Sequence, residues 1–272
     1  KMGKVNFLPQ DVINRIAAGE VVERPASVVK ELIENSLDAD AENIFVDIHS
    51  AGRRLISVRD DGCGIEPDDM EKIFRRHTTS KIGVAEDLYR IQSLGFRGEA
   101  LYSIGAVADV LLKSNIKDNV RGGKELHIRG GQNISIKDVS HPGGTTVEVR
   151  ELFFNTPARK KFLKSETTEF RRILNILVPY TLTFTEKRFS LSHNTRNILN
   201  LNPSPDPISR FCDVVNIDKK NIISGEKELQ GQSIFIRVLL RDINLKRTTR
   251  DRQYIFINRR PVYNQYLLYT IN

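Results

Sequence analysis

The chain contains very little cysteine. Its 272 residues include two cysteines, Cys63 and Cys212, and no Cys-x-x-Cys pair. This scarcity excludes a disulfide framework and a cysteine-based zinc site, and it is typical of proteins from a reducing compartment. Thiol chemistry and structural zinc are therefore not expected to carry the function.

Long apolar runs are also missing. No stretch approaches the roughly 18 consecutive apolar residues that a membrane-spanning helix needs. The first four residues, Lys1-Met2-Gly3-Lys4, lack the apolar segment of a signal peptide. We expect a soluble intracellular protein with no membrane partner, cytoplasmic in a prokaryote and nuclear in a eukaryote.

Positive charge is in excess. Lysine and arginine number 42 against 34 aspartate and glutamate residues, a net charge of +8. Such an excess favours polyanionic partners such as nucleic acid, although many basic proteins that bind no nucleic acid share it. Hydrophobic residues make up 39% of the chain, enough to bury a core, so intrinsic disorder is not expected.

The hydrophobic pattern predicts helices and strands in mixed order. Apolar residues spaced for one helix face follow Pro25, and two alternating runs at 43–48 and 55–59 predict a hairpin. Helices are also predicted from Pro67 to about His77 and from Glu166 to about Val178. Further strands are predicted at 107–113, 124–128, 134–139, 145–149 and 183–191. This order predicts an α+β fold, a two-layer sandwich of a mixed, mainly antiparallel sheet with helices.

A proline-rich segment predicts the domain boundary. Residues 202–207 contain three prolines, which continue neither a helix nor a central strand. We predict one domain at 1–201 and a smaller one at 202–272. The smaller domain is predicted to contain a helix near 208–214, strands at 233–240 and 253–257, and an amphipathic segment after Pro261.

The first polar cluster lies on the helix that follows Pro25. Glu31 and Asn35 are four residues apart, so their side chains emerge on the same face. A carboxylate can take a proton from water, and a neutral amide oxygen can ligate a hard cation, so the pair suits metal-assisted hydrolysis. The alternative is a solvated polar face of an amphipathic helix.

Three glycine-containing segments follow in order. Asp60, Gly62 and Gly64 form a DxGxG turn after a strand, where a carboxylate can accept from an exocyclic amino group; the alternative is a simple turn. Residues 94–101 open a helix, whose free N–H groups form a phosphate site, and Thr79, Ser80 and Lys81 add hydroxyls and a cation upstream. The alternative is a helix start without a ligand. Thr145 lies in a GGTT turn before a strand.

The order of these four motifs resembles that of the ATP-binding superfamily of gyrase B, the ninety-kilodalton heat-shock chaperones, histidine kinases and MutL. Within it, the chain is most similar to the MutL mismatch repair family. The resemblance rests on residues 14–25, 28–39, 95–101, 152–163 and 251–262, and it extends over essentially the whole chain.

The resemblance implies a role for each motif residue. Glu31 would be the general base that activates water, and Asn35 would ligate Mg²⁺. Asp60 would accept the adenine amino group, with Gly64 giving the base room and Thr145 nearby. The other implied ATP-binding residues are Ala39, Gly62, Thr79, Ser80, Lys81, Gly95, Phe96, Arg97, Gly98, Glu99, Ala100 and Leu101; those from 79 to 81 and 95 to 101 would form a lid.

The resemblance also implies domains and partners. The second domain would resemble domain 2 of ribosomal protein S5, incomplete here. The function would be that of a slow ATPase. ATP would drive dimerisation of the N-terminal regions, as a homodimer or a MutL-family heterodimer. This dimerisation would gate DNA binding and recruitment of repair partners such as a MutS-type protein. An endonuclease, where present, would lie in a C-terminal domain outside this chain.

Two departures from the family pattern stand out. Asp61 replaces the asparagine of the usual acidic-Asn-Gly, a change we expect to be tolerated because the adenine contact falls on Asp60. The chain also contains no match to the later motif whose lysine reaches the γ-phosphate. Weak hydrolysis by this chain is therefore expected.

Basic clusters predict DNA contacts. The candidates are Arg159, Lys160, Lys161, Arg259 and Arg260, and no aromatic stacking residues alternate with them. This pattern favours salt-sensitive contacts to backbone phosphates, independent of sequence, over base readout. The alternative is a solvated basic surface.

Two other functions remain as alternatives to an ATPase cycle. One is an ATP-gated binding module that recruits partners without meaningful hydrolysis. The other is a histidine kinase, which would need a phosphoacceptor histidine on a dimerisation helix. None of His49, His77, His127, His141 and His193 has that sequence context.

Overall fold

The computed structural model describes residues 7, 19, 21–76, 78–79, 81, 93–95, 98–117, 119, 122–229, 234–241 and 253–266, without the side chain of residue 133. The chain divides into two compact units. The first comprises residues 1–177 and 188–200, and the second comprises 178–187 and 201–272. The first unit contains every described residue of the predicted ATP site.

Helix α1 (Pro25–Asp38) opens the first unit. Pro25 suits the first turn, because its fixed φ matches a helix and its missing N–H has no partner there anyway. The helix buries one apolar face, and its polar residues Glu31 and Asn35 lie at its edge, half-buried. The buried apolar face is formed by Val28, Val29, Leu32, Ile33 and Leu37.

The first unit is built on an eight-stranded sheet. Its strands are β1 (Asn43–His49), β2 (Leu55–Asp60), β3 (Asp109–Asn115), β4 (Gly123–Arg129), β5 (Gln132–Val139), β6 (Gly144–Arg150), β7 (Arg188–His193) and β8 (Arg196–Leu201). Their order is β5-β4-β3-β6-β2-β1-β7-β8. The described pairings are antiparallel except that of β1 with β7, which is parallel. The predicted mixed, mainly antiparallel sheet is confirmed.

One face of this sheet forms the core. Alternate residues of β1, β2, β3 and β6 are buried, as the two-residue period of a strand requires. Helix α1 contacts β2, and α2 (Ala100–Val107) contacts β3 and β4. Two further helices follow, α3 (Pro157–Phe162) and α4 (Glu166–Thr183). The predicted α+β class is confirmed.

The helix predicted from Pro67 to about His77 is wrong. The structure has a single 3-10 turn, Pro67–Asp69, and then irregular turns to residue 76; His77 lies outside the described residues. The Thr78 hydroxyl lies 2.8 Å from the carbonyl oxygens of both Lys72 and Arg75, and its one proton is shared between them. In a continuing α-helix these carbonyls would accept backbone N–H groups. The Thr78 side chain takes their place, and the helix ends here.

The predicted boundaries near α4 are also wrong. The helix continues past Val178 to Thr183 although Pro179 lies inside it, and the strand predicted from residue 183 begins only at Arg188. Leu177 and Tyr180 are buried, so packing favours the extra turn despite the proline. The strand predicted at 107–113 begins two residues later, because Val107 ends α2. Strand β8 and helix α3 were not predicted.

The second unit contains α5 (Pro207–Val215), the antiparallel pair β9 (Ile222–Leu229) and β10 (Ile234–Arg241), and the antiparallel pair β11 (Ile255–Ile257) and β12 (Arg260–Val262). The helix predicted near 208–214 is confirmed, whereas β9 and β12 were not predicted. Most of the predicted amphipathic segment after Pro261 lies outside the described residues. None of the helices in the described ranges is both long and apolar enough to cross a membrane.

A buried arginine organises the second unit. The Arg210 side chain is fully buried on α5, and burial lowers the pKa of its guanidinium. Its nitrogens donate to four backbone carbonyls at 2.6–3.0 Å. These carbonyls come from segments that are distant in sequence, so one side chain satisfies buried acceptors that no helix or strand pairs. The acceptors belong to Thr181, Thr185, Lys187 and Asn202.

Replacing Arg210 with methionine will destabilise the second unit. Four carbonyls lose the arginine donor, although that of Thr185 keeps the N–H of Ser204, and we expect the free energy of unfolding to fall by about 3 kcal/mol or more. Urea unfolding followed by circular dichroism measures this change. Arg196→Met, at an exposed position of β8, is the matched control and should change stability by less than about 0.5 kcal/mol. Equal effects of the two variants would contradict the role of Arg210.

Candidate functional site

A cavity of about 600 Å³ lies between α1 and one end of the sheet. Residues of α1 form one side, the ends of β2 and β6 form the floor, and the start of α2 forms another side. The cavity is large enough for a drug-sized ligand. It brings together 13 of the site residues predicted from the sequence: Glu31, Asn35, Ala39, Asp60, Gly64, Thr79, Lys81, Gly95, Gly98, Glu99, Ala100, Leu101 and Thr145.

Four predicted residues are not among them. Ser80, Phe96 and Arg97 lie outside the described residues. Gly62 is described but does not line the cavity. A side chain at Gly62 would approach the carbonyl of Ala39 to 2.7 Å, so this glycine is needed for the turn to pack against the end of α1. Its N–H donates to Asp60, which makes it a support of the site rather than a lining residue.

Asp60 ends β2 at the floor of the cavity. Its Oδ2 accepts from the Ser36 hydroxyl at 2.8 Å, and its Oδ1 accepts from the N–H groups of Gly62 at 3.0 Å and Thr145 at 3.2 Å. A carboxylate has about four acceptor positions, so one position on Oδ2 remains for a ligand donor. The three bonds fix the orientation of the carboxylate in advance.

Burial dominates the electrostatics of Asp60. The residue is 8% exposed, and this burial raises its pKa even though the three hydrogen bonds from Ser36, Gly62 and Thr145 act in the opposite direction. Neighbouring Asp61 behaves differently. It accepts from the backbone of Glu42 and from Asn43, and these bonds lower its pKa despite its partial burial. Asp61 does not line the cavity.

Gly64 has a packing role that the sequence did not indicate. Its φ is +78°, and a Cβ there would lie 2.1 Å from the carbonyl oxygen of Asn115. Any side chain would therefore push the turn away from the end of β3. The Ser114 hydroxyl holds the same junction, accepting from the N–H of Ile65 and contacting Thr145 Oγ1, each at 2.9 Å. Glycine at 64 is needed for this close approach as much as for any ligand.

Asp38 links α1 to two distant loop segments. Its side chain is 8% exposed, and it accepts from the N–H groups of Leu94 at 2.7 Å and Gly95 at 3.1 Å. The Lys81 ammonium lies 2.5 Å from Asp38 Oδ2 and 3.1 Å from Asn35 Oδ1. Residues on both sides of segment 82–92 are thus bound to the same helix.

Asn35 Oδ1 is the atom that suits a hard cation. It already accepts from an ammonium ion, so it is oriented toward positive charge. Among the described residues, no three His, Cys, Asp or Glu side chains form a metal-binding group. A cation at this position would therefore need most of its ligands from a bound anion and from water, as Mg²⁺ in phosphate sites does.

The start of α2 also lines the cavity. Ala100 and Leu101 belong to the lining, and the side chain of the N-cap residue, Glu99, does not cap the helix. Free N–H groups and the helix dipole favour an anion at such a helix start. Gly98 precedes the helix with φ +61°, and a Cβ there would lie 2.5 Å from the Thr78 carbonyl. The cavity lining therefore combines a carboxylate acceptor with the start of a helix.

Sequence reasoning missed several residues of the site. Asp38, Ser36 and Ser114 form the hydrogen bonds that shape it, and Asp38 follows Asn35 by three residues on the same face of α1, a spacing that would have identified it. The apolar lining carries no comparable signal, because its residues alternate along strands like any core residue. This lining includes Leu32, Val58, Ile65, Ile73, Leu112 and Val147.

The basic candidates differ in their surroundings. Lys160 and Lys161 are exposed on α3, beside the half-buried Arg159. Arg259 instead donates to Glu186 and to the carbonyl of Thr183, and its guanidinium lies 4.3 Å from the ring centre of Phe184. Arg260 is half-buried in β12. Of these candidates, Lys160 and Lys161 are therefore more accessible to a DNA phosphate than Arg259, which contacts other residues, and Arg260, which is half-buried.

Comparison with known proteins agrees with this geometry. The family described as histidine kinase-, DNA gyrase B- and HSP90-like ATPase matches residues 20–156. DNA mismatch repair protein MutL of Clostridium perfringens is 43% identical over 98% of this chain, which covers 39% of that protein. MutL of Persephonella marina is also 43% identical, and the chain covers 50% of it. The chain thus spans half the length or less of these curated relatives.

Two solved structures are similar. The Aquifex aeolicus MutL ATPase domain complexed with ADP has a TM-score of 0.70 and 36% identity, with 91% of this chain and 86% of that chain covered. The N-terminal domain of a DNA repair protein has a TM-score of 0.78 and 27% identity, with 94% and 80% covered. The chain therefore belongs to the histidine kinase-, gyrase B- and HSP90-like ATPase family and, within it, to the MutL proteins.

Proposed function

We propose that the cavity binds ATP and that this chain hydrolyses it slowly. The observation that carries the proposal is that one cavity is lined both by a buried, pre-oriented carboxylate and by a helix start that its N-cap residue, Glu99, does not cap. An amino-bearing base and a polyphosphate match these two features. Membership of an ATPase family supports the same conclusion.

Asp60 is the proposed acceptor of the adenine amino group. Its remaining acceptor position on Oδ2 suits one N–H donor, and apolar residues of the sheet and α1 give a planar base a surface to pack on. Hypoxanthine has a carbonyl where adenine has its amino group. That carbonyl would repel the Asp60 carboxylate, because both groups are acceptors. The site should therefore prefer adenine to hypoxanthine.

Mg²⁺ and the phosphates are proposed for the end of the cavity near the start of α2. Asn35 Oδ1 would contribute one oxygen to Mg²⁺, which when bound supplies charge neutralisation for the phosphates. Lys81, Thr79 and residues 98–101 surround this end, and the start of α2 would bind phosphate oxygens through its N–H groups. Ser80, Phe96 and Arg97 are proposed for the lid from the resemblance alone.

Glu31 is the proposed general base. It lines the cavity one helical turn before Asn35, so a water near the phosphate end lies within reach of its carboxylate. The carboxylate would take the proton of the attacking water. Slow turnover is expected, because closure of the site precedes the chemical step in enzymes of this kind.

The role in the whole protein goes further than this chain. We propose that ATP brings two N-terminal regions together, in a homodimer or a MutL-family heterodimer, and that this gates sequence-independent DNA binding and recruitment of a MutS-type partner. The domain at 202–272 is proposed to resemble domain 2 of ribosomal protein S5. The bacterial origin of the similar proteins favours the cytoplasm of a prokaryote.

A binding module without hydrolysis is the second candidate. The two candidates differ in turnover and not in nucleotide affinity. Measurements of binding and of hydrolysis on the same variants therefore separate them.

Asp60→Asn will lose the preference for adenine. The amide oxygen can still accept from Gly62 and Thr145, but the amide nitrogen then faces the adenine amino group, donor against donor. We expect the imido analogue of ATP to bind about tenfold to a hundredfold more weakly, and the corresponding inosine analogue to lose much less. Calorimetry in the presence of Mg²⁺ measures both affinities.

Asp61→Asn is the matched control for this prediction. It removes the adjacent carboxylate, which bonds to Glu42 and Asn43 outside the cavity, so the nucleotide affinity should not change. Equal losses for ATP and inosine analogues in the Asp60 variant would show that Asp60 does not read the base.

Glu31→Ala will separate binding from hydrolysis. Removing the base should lower single-turnover hydrolysis by about a hundredfold or more, while the affinity for Mg²⁺ and the ATP analogue stays near that of the wild type. Glu228→Ala, at an exposed position of β9, is the control and should leave both unchanged. Wild-type turnover in the Glu31 variant would reject this residue as the base. A wild type that binds but does not hydrolyse ATP would favour the binding module.

Replacing Lys160 and Lys161 together with alanine will weaken DNA binding at low salt. Each lost phosphate contact lowers the slope of log K against log salt concentration by about 0.9. Fluorescence anisotropy with a labelled duplex at several salt concentrations measures this slope. The control replaces Lys219 and Lys220, an exposed pair of equal charge. A wild-type affinity that hardly changes with salt would contradict phosphate contacts.

A further inference from the structure

Lys30 lies between two carboxylates at the edge of the cavity. Its Nζ is 2.8 Å from Glu34 Oε2 and 3.3 Å from Glu31 Oε1. All three residues belong to α1 and line the cavity. The proposed general base thus has a cation beside it that neither the motifs nor the family resemblance singled out.

Glu34 determines where this cation lies. Glu34 is 6% exposed, so its carboxylate needs a charged or hydrogen-bonding partner close by. Residues 30 and 34 are four apart and face each other on a helix, whereas neighbours such as 30 and 31 do not. The shorter distance to Glu34 agrees with this geometry. Glu34 therefore anchors the Lys30 ammonium, and the ammonium in turn contacts Glu31.

Lys30 is charged in this environment. Partial burial acts to lower its pKa, but the hydrogen bonds and negative charges of Glu34 and Glu31 outweigh burial and raise the pKa of Lys30 above its usual value. The ammonium is thus present throughout the neutral range, and it offsets the repulsion between two carboxylates three residues apart on one helix.

The other cations near Glu31 are bound elsewhere. A second groove of about 460 Å³ is lined by Lys30 and Glu31 together with Arg24 and Arg172. Both arginines approach the fully buried Glu169, at 3.9 Å and 3.1 Å. Lys81 is bound to Asp38 and Asn35. Among the described residues, Lys30 is the cation that forms an ion pair with Glu31.

We propose that Lys30, anchored by Glu34, is a positioning residue that holds the Glu31 carboxylate in place at the cavity. This inference rests on the proposed ATPase function and on Glu31 as its base. Lys30 acts through Glu31 and contacts no reacting atom. Glu34 acts one step further away, by holding Lys30.

Lys30→Met removes the ammonium and keeps a side chain of similar length. Glu31 loses its restraint, and we expect the hydrolysis rate at saturating ATP to fall by about tenfold, since small displacements of a catalytic group have effects of this order. The affinity for the imido analogue of ATP should not change.

Glu34→Gln tests the anchor. Lys30 loses the closer of its two carboxylate partners and is less restrained, so the rate should fall while the affinity stays unchanged. Lys30→Arg keeps the charge and should recover most of the wild-type rate. Lys124→Met removes a lysine whose ion pair with Asp138 lies away from the cavity, and it should behave as wild type.

The experiment measures single-turnover hydrolysis and analogue affinity for the wild type, these variants and Glu31→Ala. A lower rate in Lys30→Met and in Glu34→Gln, with unchanged affinity and recovery by arginine, supports the inference. A wild-type rate in Lys30→Met overturns it while leaving the proposed ATPase intact. A wild type that does not hydrolyse ATP, or a Glu31→Ala variant that hydrolyses normally, overturns the ATPase proposal and this inference together.

Discussion

The buried carboxylate of Asp60 is the interaction on which the site depends. It accepts from a serine of α1, from the turn after β2 and from the first residues of β6, so one side chain joins the helix, the turn and the neighbouring strand. Its burial costs free energy that the three donors offset only in part, since its pKa remains raised. A ligand donor at the remaining acceptor position of Asp60 would complete its hydrogen bonds, which agrees with the amino-bearing base proposed for the floor of the cavity.

Helix α1 supplies many of the polar residues that line the cavity, because its polar edge repeats every three to four residues. Glu31, Glu34, Asn35 and Asp38 lie along one edge, while the apolar residues on the other side fix the helix against the sheet. Each carboxylate on this edge has a cation or an amide donor nearby, Lys30 for the first two and Lys81 with the backbone of residues 94–95 for the last. The helix therefore organises acid, amide and cation in one line at the cavity.

Particular elements show how far the sequence reaches. The α1 helix, the β1–β2 hairpin and the strands β4 and β6 were predictable, because a regular apolar period and a terminating proline, glycine or aspartate define them locally. The helix predicted after Pro67 was wrong. The Thr78 side chain binds the carbonyl of Lys72, six residues earlier, which a continuing helix would use itself. The extension of α4 past Pro179 also escaped prediction, because burial of Tyr180 overrides the local preference. The order of the eight strands, with its single described parallel pair, has no local signature at all.

For the site, the sequence by itself determined which residue types could act and their order along the chain. The spacing of Glu31 and Asn35 on a helix and the glycines around Asp60 are local patterns whose effect follows from backbone geometry. Tertiary structure alone decided which groups meet. The Ser36–Asp60–Thr145 bonds, the contact of Asp38 with residues 94–95 and the close approach of Gly64 to Asn115 join segments that are 24 to 85 positions apart. Contacts of that range depend on the packing of α1 against the sheet, and no local pattern encodes them.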